Sequence, residues 1–137
     1  MKIRYLVKNL QINFSNMQKE KIANYHIAKE VKRLLKELYG KRLDKILLYG
    51  SYARGEQTEN SDMDFMVVLN KKKINVYDEI SISTDKKLDL SIENALRISL
   101  HPVTKTLFTQ SKEPFFNNVR KDALQLWLKA LRCAKIL

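Results

Sequence analysis

Two uninterrupted apolar runs, Ile46-Leu47-Leu48-Tyr49 and Phe65-Met66-Val67-Val68-Leu69, flank a polar stretch that holds two of the three glycines in the chain. Runs of four or five apolar residues bounded by turn formers are too short for buried helices and suit strands inside a sheet. They predict strands over Asp44–Tyr49 and Asp62–Leu69, the second closed by Asn70 and three lysines. Upstream, Ile27, Val31, Leu34, Leu35 and Leu38 recur at helical spacing opposite Lys29, Lys32, Arg33 and Lys36. That pattern predicts an amphipathic helix from about Met17 to Tyr39, stopped by Gly40.

Downstream, a short helix or loop over Val76–Ser83 is expected to lead into a third strand, Lys87–Ile92, where Leu88, Leu90 and Ile92 alternate with polar residues. Ala95, Leu96, Ser99 and Leu100 then suggest a helix that ends at His101-Pro102. Asn117 or Asn118 is a candidate cap for a last helix carrying Leu124, Trp127, Leu128 and Leu131. The succession predicts one small α+β domain over residues 1–137, a mixed β-sheet flanked by helices and covered on one face, with residues 1–40 as a helical extension.

Composition narrows the function. One cysteine and two histidines exclude a disulfide framework and argue against a structural zinc site. No stretch approaches the ~20 apolar residues that span a bilayer. Lys8 interrupts the first apolar run and no small-residue cleavage site follows, so a cytoplasmic protein with no membrane partner is expected. The net charge of +11 is uneven: residues 1–49 carry +8, residues 50–69 carry −3 and residues 101–137 carry +5. A basic protein thus surrounds one acidic segment. Nucleoside triphosphate, nucleic acid or an acidic protein would be drawn to the basic surface, and a solvated lysine-rich surface accounts for it equally well.

The acidic segment carries the chemistry. Gly50-Ser51-Tyr52-Ala53-Arg54-Gly55 directly follows the first strand. Gly50 permits a sharp turn and close approach of a ligand, Ser51 offers a hydroxyl, and Arg54 offers a forked cation for phosphate oxygens. Asp62 and Asp64, two apart at the mouth of the second strand, point to one face while Met63 and Phe65 point to the other. Two carboxylates held together call for a cation, and Mg²⁺ takes such oxygens together with substrate phosphates. Asp89, opposite Leu88 and Leu90 on the expected third strand, would complete a three-carboxylate site able to hold two metal ions ~3.5–4 Å apart.

This pattern, Gly50-Ser51-x-x-Arg54-Gly55, then Asp62-x-Asp64 and a later strand aspartate, resembles the DNA polymerase β-type nucleotidyltransferases, and within them the minimal nucleotidyltransferase (MNT) family. The resemblance is strong over Ile46–Leu69 and weaker through Asp89. It implies Gly50 and Ser51 at the triphosphate of ATP or another NTP, Arg54 supporting that loop, and Asp62, Asp64 and Asp89 on Mg²⁺. It further implies transfer of AMP to a partner, since many MNT proteins are antitoxins that modify a tyrosine of a HEPN-type toxin. Small-molecule nucleotidylation, or a non-catalytic module binding a partner or RNA, stand as alternatives. Tyr25, His26, Tyr52 and His101 are given no catalytic role.

Overall fold

A computed structural model describes residues 22–129. Helix α1 (Tyr25–Tyr39) buries Ile27, Ala28, Val31, Leu34, Leu35 and Tyr39 and ends at Gly40, which takes φ 51° and donates its N–H to the Lys36 carbonyl. The part of the expected helix over residues 17–21 lies outside the described residues. A 3₁₀ turn over Gly40–Arg42 leads to β1 (Leu43–Tyr49), the one-turn helix α2 (Ser51–Arg54) and β2 (Met63–Leu69). Then come α3 (Val76–Glu93), β3 (Ile98–Thr104), α4 (Lys105–Gln110), α5 (Pro114–Asp122) and β4 (Leu124–Leu128).

The sheet order is β3-β2-β1-β4. Strand β1 runs antiparallel to β2 and β4, whereas β2 and β3 are parallel, so the sheet is mixed as expected. Both of its faces are covered, not one. Ile46, Leu48, Met63, Phe65, Val67 and Leu69 pack against α1 with Leu90 of α3 at the margin. Leu47, Met66, Val68 and Val103 pack against Phe108 of α4 and Phe116 and Val119 of α5. This explains why the runs Ile46–Leu48 and Phe65–Leu69 of the two central strands are apolar without alternation: successive residues meet opposite layers. Burying each such side chain contributes about 1.5–3 kcal/mol.

Three expectations are corrected. Lys87–Ile92 is not a strand but the end of an eighteen-residue helix. Asn75 caps that helix by accepting from the Tyr77 N–H at 3.1 Å, and Asp78 and Glu79 complement its N-terminal dipole. Glu79 is buried, 2.6 Å from Arg42 Nη1, and its carbonyl accepts from Tyr39 Oη at 3.0 Å, which ties α3 to the end of α1. The alternating apolar residues are no buried face: Leu88 and Ile92 are 54% and 70% exposed.

The third strand is instead Ile98–Thr104, across the His101-Pro102 expected to break a helix. Proline removes a ladder donor, and β3 tolerates Pro102 because it is an edge strand. Likewise, Leu124, Trp127 and Leu128 belong to an edge strand paired with β1, and Leu131 lies outside the described residues. Asn117 and Asn118 fall inside α5, which opens with Pro114. Trp127 sits beneath Lys36 Nζ, 5.7 Å from the ring centroid. Among the described residues no helix is long and apolar enough to cross a membrane.

Candidate active site

The antiparallel register sets Tyr49, the last residue of β1, opposite Asp64, near the start of β2. Gly50 follows with φ 76° and ψ −155°, and a Cβ there would lie 2.7 Å from Asp64 Oδ2. The Asp64 carboxylate therefore rests directly on the glycine backbone at the turn. Ala53 N and Arg54 N donate to the Gly50 carbonyl at 3.1 and 3.3 Å, closing α2, and Gly55 ends it at φ 70°. Tyr52, 4% exposed, anchors the turn in the core beneath α1.

Met63 and Phe65 are buried on the α1 side of the sheet. Asp64 points the other way, beside Asp62. Burial first, and then the Asp62 charge, raise the Asp64 carboxyl above its ordinary value. Burial, and then the charge of Asp64, push the Tyr49 phenol up to about 12. Asp62 Oδ1 is buried and has no hydrogen-bond donor, although Arg97 Nε lies 2.8 Å away. Proximity there supplies charge without hydrogen-bond alignment. Arg97 also donates to the Asn60 carbonyl at 3.3 Å and, through its own carbonyl, accepts from Met63 N at 2.9 Å. It thus fastens the loop that carries Asp62 to the start of β3. Arg54 pairs with Glu56 at 3.0 Å, an exposed contact that a stronger anion could displace at a cost of about 0–1 kcal/mol.

The structure brings together Gly50, Ser51, Asp62 and Asp64, with Arg54 one turn away. It does not bring Asp89 to them. Asp89 lies on α3 and, with Glu30, Arg33, Leu34, Glu37, Lys86, Leu90 and Glu93, lines a groove of about 280 Å³ between α1 and α3. The parallel register instead sets Ser99 of β3 against Asp64, and His101 against Met66. Phe115 bridges this edge, stacked on His101 at 5.6 Å and edge-on to Tyr49 at 5.8 Å. Desolvation lowers the His101 pKa. Tyr49, Arg97 and Ser99 are the neighbours that sequence reasoning missed. Only Tyr49 carried a signal, as the last residue before the Gly-Ser turn.

Among the described residues no group of three or more histidine, cysteine, aspartate or glutamate side chains could hold a metal ion. The two aspartates nonetheless fit one hard cation. Asp64 is destabilised as an anion by burial and then by its neighbour, and Asp62 presents a buried oxygen without a donor. Mg²⁺ is commonly held by one or two carboxylates plus substrate phosphates, which is the donor set this pair supplies.

A mixed four-stranded sheet with helices on both faces, and a Gly-Ser turn packed against paired aspartates, defines the class as a nucleotidyltransferase of the polymerase β-like fold. The chain belongs to the nucleotidyltransferase domain family, whose sequence model matches residues 28–126, and within it to the minimal nucleotidyltransferases. It is an enzyme of that family. A relative from Methanocaldococcus jannaschii, named "Putative protein adenylyltransferase MJ1379", is 38% identical over 78 residues, covering 55% of this chain and 76% of its own. A second from the same organism, MJ0128, with the same description, is 37% identical over 76 residues, covering 52% and 76%. Among solved structures, a toxin-antitoxin with AMP-PNP superposes with a TM-score of 0.54 at 21% identity, covering 79% of this chain and 80% of that one. A mutant form of the toxin-antitoxin MntA-HpeT gives a TM-score of 0.54 at 19% identity, covering 80% of each chain. At these identities the two structures establish the fold.

Proposed function

We propose that this enzyme transfers AMP from Mg·ATP to a hydroxyl of a protein partner, the hydroxyl oxygen bonding to the α-phosphorus as pyrophosphate leaves and the hydroxyl proton is lost to solvent, as the antitoxin of a pair whose toxin is of the HEPN type. The observation that carries the reading is the packing of the Asp64 carboxylate on Gly50, within the turn that opens at Ser51 and beside Asp62. Gly50 and Ser51 would receive the triphosphate, Arg54 would leave Glu56 to support it, and Asp62 and Asp64 would hold Mg²⁺. The ion, when bound, supplies Lewis-acid polarisation of the phosphate. The protein's own part is to hold the reacting phosphate fixed against the acceptor, which lowers the entropic share of the barrier. Relatives named as protein adenylyltransferases support a protein acceptor, and the toxin-antitoxin structures of the same fold support the partner.

The basic side chains of α1 offer a docking surface. Lys29, Lys32, Arg33 and Lys36 line a groove of about 720 Å³ with Tyr25, His26 and a single acidic residue, Glu30. Docking through these charges weakens with added salt. The test incubates the purified chain with α-³²P-ATP, Mg²⁺ and the product of whichever gene adjoins its own. Mass spectrometry should find AMP on a partner tyrosine, and the Asp62→Asn/Asp64→Asn double variant should transfer none. Label confined to a small molecule, or inhibition of the partner undiminished in the double variant, refutes the proposal.

A further inference from the structure

We infer that this site takes one divalent cation with its nucleotide, because the residue that faces Asp64 from the neighbouring strand is Ser99. The inference rests on the proposed Mg·ATP reading and concerns how that reading is realised. Two aspartates on one strand supply the one or two carboxylates that a single Mg²⁺ takes, and a second ion would have to share those oxygens unless a neighbouring strand added a carboxylate of its own. Here β1 contributes Tyr49 at the position paired with Asp64, and β3 contributes Ser99. Neither side chain is a carboxylate. The next residue of β3 on the same face is His101, stacked on Phe115 and paired with Met66 one step further from the aspartates.

Asp89, the carboxylate that would complete a set of three, lines the groove between α1 and α3. Outside the described residues the sequence holds a single acidic side chain, Glu20. Charge points the same way. Two carboxylates balance one divalent ion, and the Arg97 guanidinium already stands 2.8 Å from Asp62 Oδ1. A second divalent ion beside the first would meet both that cation and its neighbour, with no carboxylate on β1 or β3 opposite Asp64 to offset them.

The experiment counts ions against nucleotide. The full chain is equilibrated with Mn²⁺ and a non-hydrolysable ATP analogue, passed rapidly through a desalting column, and assayed for both. One Mn²⁺ per retained nucleotide is expected for the natural chain, and two per nucleotide for Ser99→Asp, which places a carboxylate opposite Asp64. Ser99→Asn, similar in size and uncharged, should stay at one. Two ions per nucleotide in the natural chain overturn the inference and leave the Mg·ATP reading standing. A folded, nucleotide-bound Ser99→Asp variant that stays at one overturns the assignment of Ser99 as the vacant carboxylate position. Retention of neither ion nor nucleotide by the natural chain overturns the Mg·ATP reading itself. Should Ser99→Asp fail to fold, the count on the natural chain decides alone.

Discussion

Replacing Gly50 with alanine separates the two things that this residue does. Its φ of 76° with ψ −155° lies in a region that side-chain-bearing residues avoid. Backbone strain of this kind costs on the order of 1–3 kcal/mol. The added Cβ would also stand 2.7 Å from Asp64 Oδ2. The atom it strikes ends a short side chain that can rotate, so the clash is relieved by moving the carboxylate and adds little to the loss of stability. The loss of function is larger, because the displaced carboxylate is one of the two proposed metal ligands. Gly55→Ala is the matched control. Gly55 has φ 70° in the left-handed helical region, and a Cβ there meets nothing within 4 Å. It should cost about 1–2 kcal/mol and leave the site intact. Urea denaturation would measure stability, and titration with Mn²⁺ and the ATP analogue would measure the site. Both variants should unfold at lower urea, while only Gly50→Ala loses binding by tenfold or more. Equal binding by Gly50→Ala and the natural chain would refute the assignment of the Gly50–Asp64 contact to the site.

Three further outcomes follow from the same geometry. The raised Asp64 carboxyl means that the folded chain keeps that proton to higher pH than the unfolded chain does. Stability on this account falls as pH rises from the ordinary carboxylate range through the raised folded value. Asp64→Asn should therefore melt at or above the natural chain at pH 7, show a smaller acid-range dependence of Tm, and transfer no AMP; a lower Tm at pH 7 speaks against the like-charge account. Arg97→Ala removes the cation beside Asp62 and should strengthen Mn²⁺ binding in the absence of nucleotide by up to about fivefold, the scale of an exposed ion pair; unchanged or weaker binding shows that Arg97 does not compete with the ion. Asp89→Asn, on α3 against α1, should keep AMP transfer within about twofold of the natural rate; loss of transfer would return Asp89 to the site.

What the sequence determined by itself was local. The apolar runs of β1 and β2, the glycine stop of α1, and the Gly-Ser turn leading to Asp62-x-Asp64 are each encoded within a few neighbouring residues. The strand register then places them with little freedom, because a slip of one residue would turn Asp64 into the apolar layer beneath α1 and move Phe65 and Val67 to the face covered by α4 and α5. The Gly50–Asp64 contact is different: fourteen positions separate the two residues, and only the antiparallel pairing of β1 with β2 brings them together. The edges of the sheet were decided by tertiary structure alone. Leu88, Leu90 and Ile92 alternate like a strand, yet the Asn75 cap and the Glu79–Arg42 pair hold that segment as a helix. Pro102 looks like a breaker, but an edge strand can spare its missing donor. Leu124, Trp127 and Leu128 have helical spacing, and the free edge of β1 draws them into a strand instead. Local periodicity records which side chains are apolar, whereas the partner that covers them is a property of the assembled fold, and so Asp89 lies on α3 while Ser99 is the β3 residue paired with Asp64.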